Sequence, residues 1–179
     1  MGQTSGDVVR GGLAYWDSDP LSTPNQSYLY AAPYPHNGAN LTQYPLCAST
    51  AAITPIDLTN CSPSVLQSSV SFKTGATPTV SAASSTTRDA IVWAIWADGP
   101  NPESTTPEKL YAFDALAMTT LYASSNCPTR DGIAPATKFS VPTVANGYVY
   151  VGAEELSGGT NNGTGTFYIF SPGITGTCE

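Results

Sequence analysis

Residues 138–152, KFSVPTVANGYVYVG, decide the fold class. Two runs rich in Val and Tyr meet at Asn146-Gly147. That dipeptide is a strong short-range signal for a two-residue β-hairpin, because both central residues of such a turn need positive φ. Pro142 stands just ahead of the first run. A proline has no N–H to give to a ladder, so its place is an edge strand or a bulge.

Working outward, the same arrangement recurs. Pro78-Thr79-Val80 matches Pro142-Thr143-Val144, and each leads into a strand rich in Val, Trp or Tyr. Leu110-Tyr111-Ala112-Phe113 stands in its group where Phe167-Tyr168-Ile169-Phe170 stands in the next. Short apolar runs alternate with Gly, Pro, Ser, Thr and Asn along the whole chain, and no long helical periodicity interrupts them.

The runs fall into three groups, roughly residues 10–73, 75–125 and 137–171. The first holds residues 11–16, 27–32, 41–46 and 65–72. The second holds 76–82, 90–97, 110–114 and 120–124. The third holds 139–145, 148–153 and 165–170, with no fourth strand visible. A period of roughly 50 to 65 residues with four strands per unit is the sequence form of a β-propeller blade. The expectation is an all-β chain: a β-propeller segment of about three four-stranded blades, incomplete as a monomer. The second strand of each group is apolar on both faces, as suits a strand sandwiched between neighbours.

Leu110 to Ser124, LYAFDALAMTTLYAS, resembles the repeat of the quinoprotein-like (pyrroloquinoline-quinone-like) β-propellers. Ala112 and Asp114 take the places of its Ala-x-Asp strand end and Tyr122 that of its docking aromatic, while its usual turn Gly and last-strand Trp are absent. Residues 11–16, 91–94 and 138–152 are similar to C-terminal blades of secreted bacterial members. The resemblance covers most of the chain outside two loops. It implies the fold more than the chemistry: true quinoprotein dehydrogenases hold a quinone and a calcium ion at the propeller centre, and no such ligand set is matched here. No cofactor is expected.

Composition narrows the function classes. Of the 179 residues, 11% are charged, against about 25% in an ordinary protein. The surface must therefore draw its solubility from Ser, Thr, Asn and Gly. With six Lys and Arg and a net charge of −7, the chain lacks the basic footprint that nucleic acid or an anionic membrane requires. The longest apolar run, residues 90–97, is far short of the ~20 residues that span a bilayer.

Cys47, Cys61, Cys127 and Cys178 show no C-x-x-C spacing, so disulfides in an oxidising compartment are expected, extracellular or periplasmic. Three pairings are open; Cys47 with Cys61 and Cys127 with Cys178 is the favoured one. Asn25, Asn40, Asn60 and Asn162 are glycosylation acceptors by motif. The excursions at residues 47–61 and 97–108 read as a disulfide-closed loop and a solvated, Pro-rich acidic loop.

Candidate chemistry is sparse. His36, the single histidine, reads as a loop residue. Asp17 and Asp19 are the calcium candidates, since alternating carboxylates supply hard oxygens, but the rest of a loop-ligand pattern is missing. Asp98 with Glu103, or Glu154 with Glu155, form a glycosidase pair only if the fold sets the required separation. Trp16, Trp93 and Trp96 are read as packing residues between sheets, with a sugar-stacking surface as the alternative. Gly158 to Gly163 reads as a flexible loop and not a phosphate cradle. The preferred reading is a secreted structural or interaction module without its own catalytic site, covered on its open faces by a protein partner or by self-association. The alternatives are part of a quinoprotein-like oxidoreductase completed by other blades or chains, and a carbohydrate-binding propeller.

Overall fold

The computed structural model describes residues 11–17, 27–33, 39–46, 65–84, 89–97, 106–135, 140–157 and 160–171, and leaves out the side chains of 155–164. Among the described residues eleven strands form three antiparallel sheets, each a simple meander. Sheet one is β1 (Ala14–Asp17), β2 (Ser27–Ala31), β3 (Ala39–Leu46) and β4 (Leu66–Phe72). Sheet two is β5 (Thr79–Ser81), β6 (Ile91–Trp96), β7 (Lys109–Asp114) and β8 (Thr120–Ala123). Sheet three is β9 (Thr143–Ala145), β10 (Tyr148–Ser157) and β11 (Thr160–Phe170). Among the described residues helix is confined to a 3-10 turn at Ser124–Asn126 and a single turn, α1 (Pro128–Asp131). The all-β expectation holds.

Period-2 alternation decides the stacking. In β6, Val92, Ala94 and Trp96 join one core with Tyr111 and Phe113 of β7, against Trp16, Tyr28, Tyr30 and Phe72 of sheet one. Trp93 and Ile95 of the same strand point the other way. They join Leu110 and a second core with Val149, Val151, Tyr168 and Phe170 of sheet three. Successive side chains on a strand face opposite sides, so a strand apolar at every position buries both faces only between two sheets. Sheet two is that middle layer. The first strands line up beside one another, β1 against β5 and β5 against β9.

The sequence repeat is a structural repeat. Cross-strand register puts Val80, Val92 and Phe113 in one row of sheet two, and Val144, Val149 and Phe170 in the same row of sheet three. Each row faces the preceding sheet. Aromatic pairs complete the contacts: Phe72 meets Phe113 edge-on at 6.3 Å, and Tyr122 meets Phe170 at 6.4 Å. Pro78 and Pro142 are both buried just before the edge strands β5 and β9, where no ladder donor is lost.

Polar stitches fix the layers. Tyr30 Oη donates to Ala115 O at 2.8 Å, and Gln43 Nε2 donates to the same carbonyl. Trp96 Nε1 donates to Ser71 O at 2.9 Å. Thr79 Oγ1, in the repeated Pro-Thr-Val, donates to Pro142 O at 2.7 Å. Gly12 N donates to Thr77 Oγ1 at 3.2 Å. Beside it Gly11 has φ of +136°, and a Cβ there would stand 2.6 Å from Thr77 Oγ1, so the close approach of β1 to β5 requires glycine.

Two readings need correction. Residues 160–163 are not loop: β11 begins at Thr160, paired with Ser157, and its ladder continues past a bulge at Glu154/Leu156. Cross-strand pairing overrides the local Asn-Asn-Gly turn preference. Glu108, read as the end of a solvated loop, is 1% exposed. Its N–H donates to Ala134 O at 3.3 Å, which draws the start of β7 under residues 132–135.

The β9–β10 turn has Asn146 at φ 51° and Gly147 at φ 78°, as the dipeptide requires. A Cβ on Gly147 meets nothing within 4 Å, so the cost of Gly147→Ala is backbone strain alone, about 1–2 kcal/mol. Gly152→Ala, equally uncrowded and without positive φ, should stay within about 0.5 kcal/mol of the parent in urea unfolding. Equal effects at the two positions would contradict the turn assignment.

Candidate functional site

A cleft of about 1090 Å³ opens between sheets two and three. Ser81, Ile91, Trp93 and Tyr122 form one wall, and Val144, Val149, Tyr168 and Phe170 the other. Asp89, Arg130 and Asp131 supply its charge. The short helix positions the polar group. It follows Cys127, which is disulfide-bonded, and Pro128 starts the turn, where a missing N–H costs nothing.

Arg130 and Asp131 pair side by side, Nε to Oδ1 at 2.7 Å and Nη2 to Oδ2 at 2.8 Å. Tyr122 Oη donates to Asp131 Oδ2 at 2.8 Å. The Arg130 guanidinium, with help from the Tyr122 hydroxyl, holds the Asp131 carboxyl below its usual range. Burial first, then the adjoining carboxylate, raises the Tyr122 phenol. Asp131 is thus an ionised acceptor already engaged twice, and Tyr122 stays a protonated donor. Trp93 lines the cleft with its Nε1 donating to Ser81 Oγ at 2.8 Å. The cleft thus presents aromatic faces beside a closed set of hydrogen-bonded polar groups.

Residues 132–135 wedge the sheets together. Ile133 is buried in the second core, Ala134 N donates to Tyr168 Oη at 3.0 Å, and Glu154 N donates to Pro135 O at 3.0 Å. Beneath this wedge both Glu108 carboxyl oxygens are buried without a hydrogen-bond partner. Burial alone raises this carboxyl to about 8.

The sequence candidates scatter. Asp17 ends β1 with Oδ1 buried and without a hydrogen-bond partner, while Asp19 lies outside the described residues. Among the described residues no three His, Cys, Asp or Glu group as metal ligands. His36, Asp98, Glu103, Cys47, Cys61, Cys178, Asn25 and Asn60 also lie outside the described residues, as does the side chain of Glu155. Asn162 has its backbone in β11. Asn40 sits in β3 with Nδ2 donating to Ser68 O at 2.9 Å. Trp16 stacks on Tyr28 at 6.0 Å, and Lys109 sits 4.3 Å over Trp96, so these two indoles serve packing. No described helix is long and apolar enough to cross a membrane.

The outer faces of the stack are a second candidate. Tyr148, Phe167 and Ile169 are 42%, 69% and 61% exposed on the free side of sheet three. Leu13 and Tyr15 are 56% and 57% exposed on the free side of sheet one.

No protein-family model, curated protein or solved structure matches the chain. The likeness to quinoprotein-like repeats therefore rests on the residues quoted for it.

Glu108 gives a signed pH dependence. Its folded-state value of about 8 lies above the ordinary 4.5, so its contribution to stability is intact below pH 4.5 and declines as pH rises toward 8. Glu108→Gln should stabilise the chain by roughly 1–3 kcal/mol at pH 8 and by nearly nothing at pH 4, read by urea unfolding at both values. The same difference at both pH values would show that the carboxyl is not buried.

Proposed function

We propose that this chain is a structural interaction module: a β-propeller segment of blade-like sheets whose two end faces receive further protein surface. The single observation behind this is the repeated cross-strand row. In sheets two and three the row (Val80, Val92, Phe113; Val144, Val149, Phe170) packs on the sheet before it. Sheet one has the same row, Tyr15, Leu29 and Tyr44, with no described sheet before it. Apolar faces of this kind, left open, mark interaction surfaces.

The adjacency of β1, β5 and β9 is what blades arranged about an axis require, and it supports the propeller reading. The disulfide at Cys127 supports an oxidising compartment, and hence secretion. Cys127 with Cys178 and Cys47 with Cys61 remains the pairing we favour. In this reading the inter-sheet cleft and the Arg130–Asp131–Tyr122 group hold two blades in place and carry no reaction.

The test uses the exposed side chains. Replacing Phe167 and Ile169 together by Ser should leave unfolding of the chain at nanomolar concentration within about 0.5 kcal/mol of the parent, because neither side chain is buried in a lone chain. The same pair of changes should cut the binding of a hydrophobic dye by more than half. A parent chain that is single at that concentration and binds no dye would remove the interaction-module reading.

A further inference from the structure

We infer that the free face of sheet three is the docking site for the free face of sheet one in a second copy of the chain. The inference rests on the reading above and names the partner.

Each internal interface joins two different kinds of face. The kind that looks back to the preceding sheet carries the Val-Val-Phe row described above. The kind that looks forward to the next sheet is set by Thr79 and Trp93 in sheet two, one register step away. In sheet three the equivalent pair is Thr143 and Tyr150. Trp93 is capped by sheet three, whereas the ring neighbours of Tyr150 among the described residues are Phe167 at 6.0 Å and Tyr148 at 6.4 Å, both of its own sheet. Thr79 spends its hydroxyl on Pro142 O of the next sheet, and Thr143 stands exposed in the same place.

Among the described residues the stack thus finishes in one uncovered face of each kind. Sheet one keeps the face that packs on a preceding sheet, and sheet three keeps the face that accepts a following one. Leu13 and Tyr15 on the first, and Phe167 and Ile169 on the second, are more than half exposed. None of the four is charged. The complement of each face is the other.

Sheet count selects the number of copies. Each chain supplies three sheets among its described residues. Two copies give six, inside the range of roughly four to eight at which radially arranged sheets close, while three copies give nine. Head-to-tail contact between two different faces normally runs on as a chain, but closes when two copies are related by a half turn. The assembly is then a ring with two identical interfaces and no open face.

Light scattering at micromolar concentration tests this. The expected mass is twice the 18.6 kDa of the chain. Tyr15→Glu and Ile169→Glu, each at an exposed side chain, should each return the single-chain mass with an unchanged far-UV circular dichroism spectrum. Mixing the two variants should restore a two-chain particle, since each retains the face that the other has lost. Leu121→Glu, at an exposed leucine of β8 in the middle sheet, should leave the two-chain mass intact. A parent chain that stays single at this concentration, an assembly of three or more chains, or a two-chain mass that survives both face variants would overturn the inference. A single chain that still binds hydrophobic dye would remove only the second copy. A single chain that binds none would remove the interaction-module reading with it.

Discussion

Sheet two has to hide apolar side chains on both of its faces, and the rest of the structure is arranged around that need. Its β6 strand sends Val92, Ala94 and Trp96 to one side and Trp93 and Ile95 to the other. Fully burying each aliphatic or aromatic side chain is worth on the order of 1.5–3 kcal/mol, so neither face can be left to water. Sheets one and three supply the two covers. Among the described residues no sheet covers their own far sides, where Leu13 and Tyr15 at one end and Phe167 and Ile169 at the other are more than half exposed.

Apolar contact gives attraction without register; the buried hydrogen bonds between layers supply the register. The Ala115 carbonyl, carried by the turn after β7, receives both Tyr30 and Gln43 from sheet one. That turn is closed by Asp114, whose Oδ1 accepts from Leu116 N at 2.8 Å and Ala117 N at 2.7 Å. Met118 within it adopts φ of 55°, a conformation that glycine takes more readily. The strain, about 1–2 kcal/mol, is offset because the Met118 side chain is buried in the first core. On the other side of sheet two, residues 132–135 tie β7, β10 and β11 together through three backbone groups.

Much of this was legible because it repeats or alternates. Pro-Thr-Val and the Tyr-x-Phe of residues 111–113 and 168–170 occupy equivalent rows, as their match in sequence implies, and Asn146-Gly147 makes the expected hairpin. The three sheets, four strands, four strands and three among the described residues, follow the three groups of apolar runs. What stayed hidden depends on contacts without local pattern. Glu108 sits in a polar, Pro-rich run and its burial comes from the distant Ala134 carbonyl. Arg130 and Asp131 meet Tyr122 only because one helical turn after Cys127 folds the chain back. The wedge at Ile133 has no periodicity to announce it. Radial closure is a property of how sheets are set against one another and against copies, and a strand pattern within one chain does not encode it.

Native-state hydrogen exchange at each amide is the most direct measure of whether sheet two is the sandwiched layer. Local opening spans from almost nothing in exposed elements to the global free energy in the most enclosed ones. The account places the slowest amides in β6 and β7, at Ile91–Trp96 and Lys109–Asp114, with sheets one and three exchanging faster toward their outer strands. Slowest exchange in sheet one or sheet three, with β6 and β7 opening early, would contradict it.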